Sequence, residues 1–169
     1  LTKMGRVTAD LFWERITYLM DRMIPVANEC KMRMGSSQMD PPVPDGYKGV
    51  DKVVNDFEGM KRFIEIQRSP YNGWNFCIGS IAEMCKNPAT EVFPFIKYFG
   101  DKKTIFLVHY RNIKGGRYSF RETLPDEGDV DMWRVIKALK DVGYTYGVDP
   151  DHVPSCPDDP ACRLQGYAY

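Results

Sequence analysis

The sequence TIFLVHYRNIKGG, residues 104–116, decides the fold. Its four consecutive apolar residues, 105–108, include β-branched and aromatic side chains and predict a strand that is buried on both faces. The apolar run stops at His109, and further polar residues, among them Arg111, follow before a pair of glycines that predicts a flexible loop. Chemistry in parallel α/β folds lies at the carboxyl ends of strands. We therefore expect functional side chains directly after residue 108.

Two other stretches repeat this pattern of an apolar segment followed by polar residues. Residues 74–80 contain Cys77 near the end of an apolar run, and residues 144–154 contain Asp151 and His152. Because parallel strands end at the same edge of a sheet, we expect the three strand ends to converge.

Helical and strand patterns alternate along the chain, and this alternation predicts an α/β fold with a parallel sheet. In chain order we predict a helix capped by Thr8, a short strand at 31–34, a helix through 53–64, a strand at 74–77, a helical region at 81–98 interrupted near Pro88 and Pro94, the strand at 105–108, a polar loop at 122–128, a helix capped by Asp129 that ends before Gly143, and a strand at 144–148.

The first helix carries an apolar stripe at helical spacing, which predicts that it packs on the sheet. We expect Pro25 to kink this helix or to end its regular part. The stripe consists of Phe12, Ile16, Leu19, Met23 and Ala27, and it is widened by Met20 and Ile24.

Composition limits the classes of function. A chain of 169 residues is long enough for one domain with a real core. Its 23 basic and 23 acidic residues balance, which argues against nucleic acid or an anionic membrane as partner. No apolar run approaches the roughly 20 residues that span a bilayer. The five cysteines form no CxxC pair, which favours a reduced, cytoplasmic protein, and we expect Cys156 and Cys162 to be free thiols rather than a disulfide or metal pair.

The three strand ends carry side chains that suit a metal ion. Cys77, His109 and Asp151 would each be unremarkable alone, but together they offer sulfur, nitrogen and oxygen ligands to an ion such as Mn²⁺, Fe²⁺ or Zn²⁺. Such an ion polarises a hydroxyl or carboxylate and acidifies a neighbouring proton. Arg111 could equally well bind an anionic substrate or form a salt bridge that orders a loop. The sequence leaves both roles of this residue open.

Several motifs, in order, resemble the mannonate dehydratase family. The resemblance implies a TIM barrel of the xylose-isomerase-like kind, a divalent metal that is usually Mn²⁺ or Fe²⁺, and dehydration of D-mannonate to 2-keto-3-deoxy-D-gluconate in hexuronate catabolism. The motifs are PP at 41–42 before GY at 46–47, NG at 72–73, FCIGS at 76–80, HYRNIKG at 109–115, EGDVDM at 127–132 and PDHVP at 150–154.

The same resemblance implies roles for individual residues. The metal ligands by match to the motifs are Cys77, His109 and Asp151. His152 falls on an acid/base position and is our candidate for one proton transfer, and Tyr167 is a candidate for the other. Arg111 is assigned to positioning the substrate carboxylate or a loop.

Two departures from the family pattern affect these expectations. Ser37 stands where the family has a fourth ligand, a histidine, so we expect three protein ligands with a water in the remaining position. The chain also matches only the C-terminal half of family members, and three and a half βα units cannot close an eight-stranded barrel. We therefore expect residues 1–169 to be a single domain that is the C-terminal part of a TIM barrel. Either an N-terminal half is missing or the chain associates with another copy.

Two alternative functions remain open at this stage. A metal-dependent sugar isomerase or epimerase could use the same fold, because fold does not fix function. A non-catalytic remnant that binds a sugar acid or a partner chain would explain Ser37 and the missing half, whereas the intact candidate site residues favour chemistry.

Overall fold

A parallel β-sheet connected by helices forms the centre of the computed structural model, which describes residues 5–152 and 154. In chain order the helices and strands are α1 (Ala9–Cys30), β1 (Met34–Ser37), α2 (Phe57–Ile66), β2 (Asn72–Cys77), α3 (Ile78–Met84), α4 (Pro88–Asp101), β3 (Ile105–Tyr110), β4 (Asn112–Gly116), β5 (Ser119–Thr123), α5 (Met132–Asp141) and β6 (Val148–Pro150). Four strands pair in the order β1-β2-β3-β6, and every pairing is parallel. The predicted α/β class with a parallel sheet is confirmed.

The register of the sheet brings the strand ends level with one another. Cys77, the last residue of β2, pairs with His109 of β3, and His109 pairs with Asp149 of β6. On the other side of β2, Ser37 pairs with Asn75. The carboxyl ends of all four strands therefore lie at one edge, as parallel pairing requires.

One face of the sheet packs against the helices and builds the core. Trp74 and Phe76 of β2 are fully buried, and Trp74 packs on Phe63 of α2 with ring centroids 4.8 Å apart. Phe76 contacts Phe99 of α4 with centroids 6.0 Å apart. Because side chains alternate along a strand, Cys77 points to the opposite face from Phe76. The hydrophobic core thus fixes which face carries the polar strand ends.

Helix α1 begins as predicted but is rotated relative to the predicted stripe. The Leu11 N–H donates to the Thr8 hydroxyl, so Thr8 is the N-cap. The helix does not end at Pro25 but continues to Cys30. Leu19 and Met23 are exposed, which contradicts their place in the stripe. Apolar residues surround much of this helix, so periodicity alone did not fix its orientation. The buried positions are Trp13, Met20, Ile24 and Ala27.

Other boundaries also differ from the sequence predictions. The first strand covers Met34–Ser37 and not 31–34, because Lys31 ends α1 in a left-handed conformation. The last strand is Val148–Pro150 and not 144–148. The region 81–98 is two helices, since Cys85 is extended and Pro88 starts a new helix at a position that proline favours.

The cap of α5 lies two residues later than predicted. Asp131 is the N-cap and accepts a hydrogen bond from the Arg134 N–H at 2.9 Å. Asp129 instead accepts from the Gly115 N–H of β4 at 2.7 Å and so ties the segment before α5 to this strand. Gly143 follows the helix with a φ of 69°, as expected of a glycine just past a helix end.

A β-hairpin replaces the flexible loop that the glycines after β3 predicted. Strands β4 and β5 pair in antiparallel fashion, and β4 packs against α3. Asn112 anchors the hairpin, because its Nδ2 donates to the carbonyl oxygens of Pro125 at 2.6 Å and Val130 at 2.8 Å. The hairpin therefore lies fixed beside the carboxyl end of β3, and it supplies a site residue described below.

Within the part of the chain that the structure describes, no helix has the length and apolar character needed to cross a membrane. Tyr167, Cys156 and Cys162 lie outside the described residues.

Candidate metal centre and active site

Three candidate ligands meet at the carboxyl ends of three strands. One ligand atom each of Cys77, His109 and Asp151 lies within 4.8 Å of the other two. His109 Nδ1 and Asp151 Oδ2 are 3.1 Å apart. Two ligands that share an ion at about 2.0–2.3 Å are at most about 4.6 Å apart, so small side-chain movements suffice for all three to bind one ion. This mixed set of donors fits a divalent first-row metal.

The backbone around Cys77 holds its sulfur at the sheet edge. Cys77 is both the last residue of β2 and the N-cap of α3, and its Sγ accepts from the Ser80 N–H at 3.3 Å. Its own N–H donates to Oε1 of Gln38, a buried residue that follows β1. The sharp change from strand to helix therefore aims the thiol away from the core.

The neighbours of His109 favour its protonated form. The hydrogen bond with Cys77 is the largest effect that raises the pKa of His109 above its usual value, and the charges of Asp151 and Asp149 add to it, while burial acts in the opposite direction. The side chains around His109 therefore favour a positive charge at this position, either on the ring itself or on a bound cation.

Ser37 lies beside this cluster but makes a different contact. Its Oγ accepts a hydrogen bond from Asn75 Nδ2 at 3.3 Å, and its side chain is exposed. A serine hydroxyl that stays protonated is a far weaker metal ligand than an imidazole.

Arg111 is buried among three carboxylates and does not face solvent. Its side chain is only 2% exposed. Nε and Nη2 bind both oxygens of Glu122 at 3.0 and 2.5 Å, Nη2 also binds Glu83 at 2.5 Å, and Nη1 binds Asp40 at 2.7 Å. These ion pairs occupy the guanidinium, so the geometry favours the loop-positioning role over direct contact with a substrate carboxylate.

Charge within this cluster is unevenly balanced, since one guanidinium faces three carboxyl groups. Burial is the main cause that raises the pKa of Glu83 to about 7, and Asp40 and Glu122 add to the increase although Arg111 opposes it. Burial alone would lower the pKa of Arg111, but its hydrogen bonds and carboxylate partners outweigh burial and raise it. Arg111 therefore stays charged, and Glu83 takes up a proton near neutral pH.

His152 lies at the rim of the same cluster, with about half of its side chain exposed. Its Nδ1 is 3.1 Å from Glu122 Oε1, and its Nε2 is 3.8 Å from Asp151 Oδ2. The structure thus brings four of the six predicted site residues to one edge of the sheet. Arg111 lies behind them, and Tyr167 is outside the described residues.

Sequence reasoning missed the three carboxyl partners of Arg111. A buried arginine requires such partners, so their existence could have been inferred had the burial of Arg111 been known. Their identity could not, because the chain has 23 acidic residues and no spacing distinguishes Asp40, Glu83 and Glu122.

A groove of about 1060 Å³ lies elsewhere, on the outer helices α4 and α5, and is lined by residues such as Tyr98 and Arg134. None of the candidate ligands lines it, so the chemistry at the strand ends, rather than the size of a groove, locates the site.

The sequence model of the D-mannonate dehydratase (UxuA) family matches residues 1–169. The chain belongs to the mannonate dehydratase family. Mannonate dehydratase of Thermotoga petrophila is 34% identical over 149 residues, which cover 86% of this chain and 40% of that protein. The enzyme of Streptococcus suis is 30% identical over 148 residues, covering 86% and 39% respectively. The chain thus spans about 40% of the length of these mannonate dehydratases.

One solved structure agrees with this family membership, and a second supports the fold. The crystal structure of mannonate dehydratase from Streptococcus suis serotype 2 superposes with a TM-score of 0.77 at 29% identity and covers 88% of this chain and 42% of that one. The structure of the IolI protein with a bound zinc atom, at 15% identity and a TM-score of 0.65, covers 89% and 51% and supports the fold alone. The prediction of a partial TIM barrel of the xylose-isomerase-like kind is confirmed.

Proposed function

We propose that this chain provides the metal-binding part of a mannonate dehydratase-like hydro-lyase that converts D-mannonate to 2-keto-3-deoxy-D-gluconate and water. The observation that carries the proposal is the meeting of Cys77, His109 and Asp151 at the strand ends of a chain that the family model matches throughout. The proposal applies to the protein with its barrel completed, by an N-terminal half or by a second copy, because metal affinity and substrate turnover are properties of that assembly.

Mn²⁺ or Fe²⁺ is the proposed ion, and Cys77, His109 and Asp151 are its proposed ligands. When bound, such an ion polarises the substrate carboxylate or a hydroxyl and acidifies the proton at C2. The thiolate and the carboxylate together carry two negative charges, which match the charge of the ion.

His152 is proposed to move a proton in the elimination. The reaction removes the proton from C2, forms a double bond between C2 and C3, and releases the C3 hydroxyl with a second proton as water, after which the enol becomes the ketone. A group that takes up the first proton and a group that supplies the second are both required. His152 lies beside Asp151 and is about half exposed, so its ring can reach a substrate bound at the strand ends. Tyr167 is proposed for the other transfer.

Arg111 is proposed to position the site without touching the substrate. Through Asp40, Glu83 and Glu122 it joins the loop after β1, helix α3 and the β4–β5 hairpin. These segments surround Cys77 and His152, so the ion pairs fix the wall of the site.

A cytoplasmic location and a D-mannonate substrate belong to the same proposal. The single domain of residues 1–169 is proposed to complete its barrel with an N-terminal half or with a second copy, because only four parallel strands are present among the described residues.

The test is to measure metal and product together. Purified protein is analysed for bound metal, titrated with Mn²⁺ and assayed for keto acid formed from D-mannonate. His152→Ala should abolish turnover while the metal stays bound, and His109→Ala, the matched change at the chain's other histidine, should lose the metal. Loss of metal in His152→Ala would make this residue a ligand and move the acid/base role elsewhere. An assembled, metal-loaded protein that forms no keto acid would refute the dehydratase proposal.

Ser37 supports a second candidate, a remnant that binds a sugar acid or a partner chain without turnover. In this case calorimetry would show D-mannonate binding to a protein that forms no product. Structural likeness to a xylose isomerase domain protein, at 17% identity, supports only the fold and adds nothing to the isomerase or epimerase alternative.

A further inference from the structure

We infer that Glu122, in the β4–β5 hairpin, is the positioning residue that sets the tautomer and orientation of His152. The inference extends the proposed function, in which His152 transfers a proton. It rests on the contacts of Glu122 with His152 on one side and with Arg111 on the other.

The contact between Glu122 and His152 determines which ring nitrogen carries the proton. Glu122 Oε1 is 3.1 Å from His152 Nδ1. Both oxygens of the same carboxyl group accept hydrogen bonds from Arg111, so Glu122 faces the guanidinium as an acceptor. An ionised carboxylate only accepts hydrogen bonds, so Nδ1 must be the donor and carry the proton.

The other ring nitrogen is thereby left available for chemistry. His152 Nε2 lies 3.8 Å from Asp151 Oδ2, which is beyond hydrogen-bond distance. In the neutral ring, a protonated Nδ1 leaves the Nε2 lone pair free to accept a proton. The Glu122 contact therefore points the basic nitrogen toward the edge of the sheet where Asp151 lies.

The backbone of His152 indicates that its position is enforced by surrounding contacts. Its φ is 50°, in the left-handed region that non-glycine residues rarely adopt. Such a conformation is strained and persists where surrounding interactions hold it. The hydrogen bond to Glu122 is a side-chain contact that can hold it.

Glu122 can act in this way because it is itself anchored. Arg111 is 2% exposed and is fixed by Glu83, which is fully buried, and by Asp40. A carboxylate bound at two points to an immobile guanidinium keeps one orientation, so the acceptor for His152 does not move. The chain from Glu83 through Arg111 and Glu122 thus links the buried interior to the proposed acid/base.

Nitrogen NMR of the histidine rings tests this inference without any turnover. The chain has two histidines, so a long-range ¹H–¹⁵N spectrum of the ¹⁵N-labelled protein contains two ring patterns, and His152→Ala identifies which is which. Spectra are recorded with diamagnetic Zn²⁺ and without metal, at a pH where the nitrogen shifts show neutral rings. His152 should show the Nδ1–H tautomer in the parent protein.

Variants at position 122 complete the test. Glu122→Ala should convert His152 to the Nε2–H tautomer that a solvated histidine prefers, and Glu122→Gln, which keeps an acceptor oxygen, should retain more of the Nδ1–H form. Glu29→Gln on the exposed end of α1 makes the same charge change and should leave the pattern unaltered. An Nε2–H pattern in the parent overturns the inference even if no variant folds, and so does an unchanged pattern in a folded Glu122→Ala.

The outcome is separable from that of the proposed function. If the protein forms no keto acid but shows the Nδ1–H pattern, the dehydratase proposal is refuted and the inference about Glu122 stands. If the parent is active, Glu122→Ala should lower kcat at least about tenfold with a smaller change in KM, because an interaction with the base acts in the transition state.

Discussion

Ser37 is the single residue whose replacement is expected to strengthen the metal site. It lies at the end of β1, level with Asn75, and offers only a hydroxyl where the resemblance to the family predicts an imidazole. Ser37→His should raise Mn²⁺ affinity at least about tenfold, which corresponds to about 1.4 kcal/mol, because a neutral imidazole replaces a weakly held water. Calorimetric titration of Mn²⁺ into the parent and the variant measures the change.

The matched control for this substitution is Ser36→His. Ser36 pairs with Trp74, whose side chain packs in the helix-facing core, so an imidazole at this position points away from the candidate ligands. Equal gains in affinity from both variants, or none from Ser37→His, would show that the β1 loop is aligned incorrectly with the family ligand.

Glu83 should make the stability of the protein depend on pH. Burial raises its folded pKa to about 7, whereas an unfolded glutamate titrates near 4.5. Between these pH values the folded state holds a proton that the unfolded state has lost, so this contribution is fully present below about pH 4.5 and is lost as pH rises through about 7. The size is at most about 3 kcal/mol. Chemical denaturation of the parent and Glu83→Gln across this range measures the difference.

The unfolding free energy of the parent should fall relative to that of Glu83→Gln as pH rises from about 4.5 to about 7, because glutamine mimics the protonated side chain and does not titrate. Glu29→Gln, at an exposed position of α1, should differ from the parent by the same amount at every pH. A constant difference for Glu83→Gln as well would mean that Glu83 is already ionised in acid.

At this scale the sequence identified the residues that follow apolar strands and missed those that depend on distant partners. Cys77 and His109 lie at the carboxyl ends of β2 and β3, and Asp151 directly follows β6, so the topology of a parallel sheet was enough to group them. Glu83 and Glu122 derive their character from contact with buried Arg111, and no local pattern marks that contact.

The sequence also failed to predict a whole element, the β4–β5 hairpin, because this element too depends on tertiary contacts. Its strands contain two glycines and several charged residues, which lower β propensity, and its turn has Tyr118 at a φ of 68° in place of an Asn-Gly or Asp-Gly pair. What stabilises it is tertiary: its packing on α3 and the two carbonyl contacts of Asn112. Strands β2 and β3, in contrast, were predictable because their sequences contain apolar runs with buried residues, whereas the exposed strands β1 and β6 were placed wrongly.

Helix α3 depends on a glycine that leaves space for Arg111. A methyl group at Gly79 would lie 2.5 Å from Arg111 Cδ. Gly79→Ala gains helix propensity of about 0.5–1 kcal/mol, but displacing an arginine that three carboxylates hold should cost more. The net result should be a loss of about 1–3 kcal/mol in unfolding free energy, measured by urea denaturation.

Gly147→Ala provides the comparison, because a methyl group there would meet Leu107 at 3.4 Å, an ordinary contact distance. This variant should stay within about 0.5 kcal/mol of the parent. A Gly79→Ala protein as stable as Gly147→Ala would indicate that the Arg111 cluster adjusts freely.

For the molecule as a whole, the incomplete barrel is expected to drive association. Among the residues that the structure describes, strands β1 and β6 each pair on one side only, and Tyr146 and Val148 near the β6 edge are exposed. An unpaired edge with apolar side chains recruits another strand. We expect the 169-residue chain to sediment as a dimer or larger species at micromolar concentration. If an N-terminal half completes the barrel, adding it should end this association.

Val148→Lys should weaken this association at least several-fold, because a charged side chain on an edge strand opposes pairing. Trp133→Lys is the control, since Trp133 is also an exposed apolar residue but lies on α5, away from the sheet edge. A parent protein that sediments as a stable monomer at all concentrations would rule out association through the sheet edge.

The position of Asp151 after β6 has a consequence for the order in which the protein is made. Cys77 and His109 leave the ribosome well before Asp151, and β2, β3 and β6 each pair with a strand that was synthesised earlier. The three ligands can therefore come together only after the last strand has docked. An ion that needs all three would bind late and would secure β6 against its neighbour, so metal binding would report that β6 has docked onto β3 in each new chain.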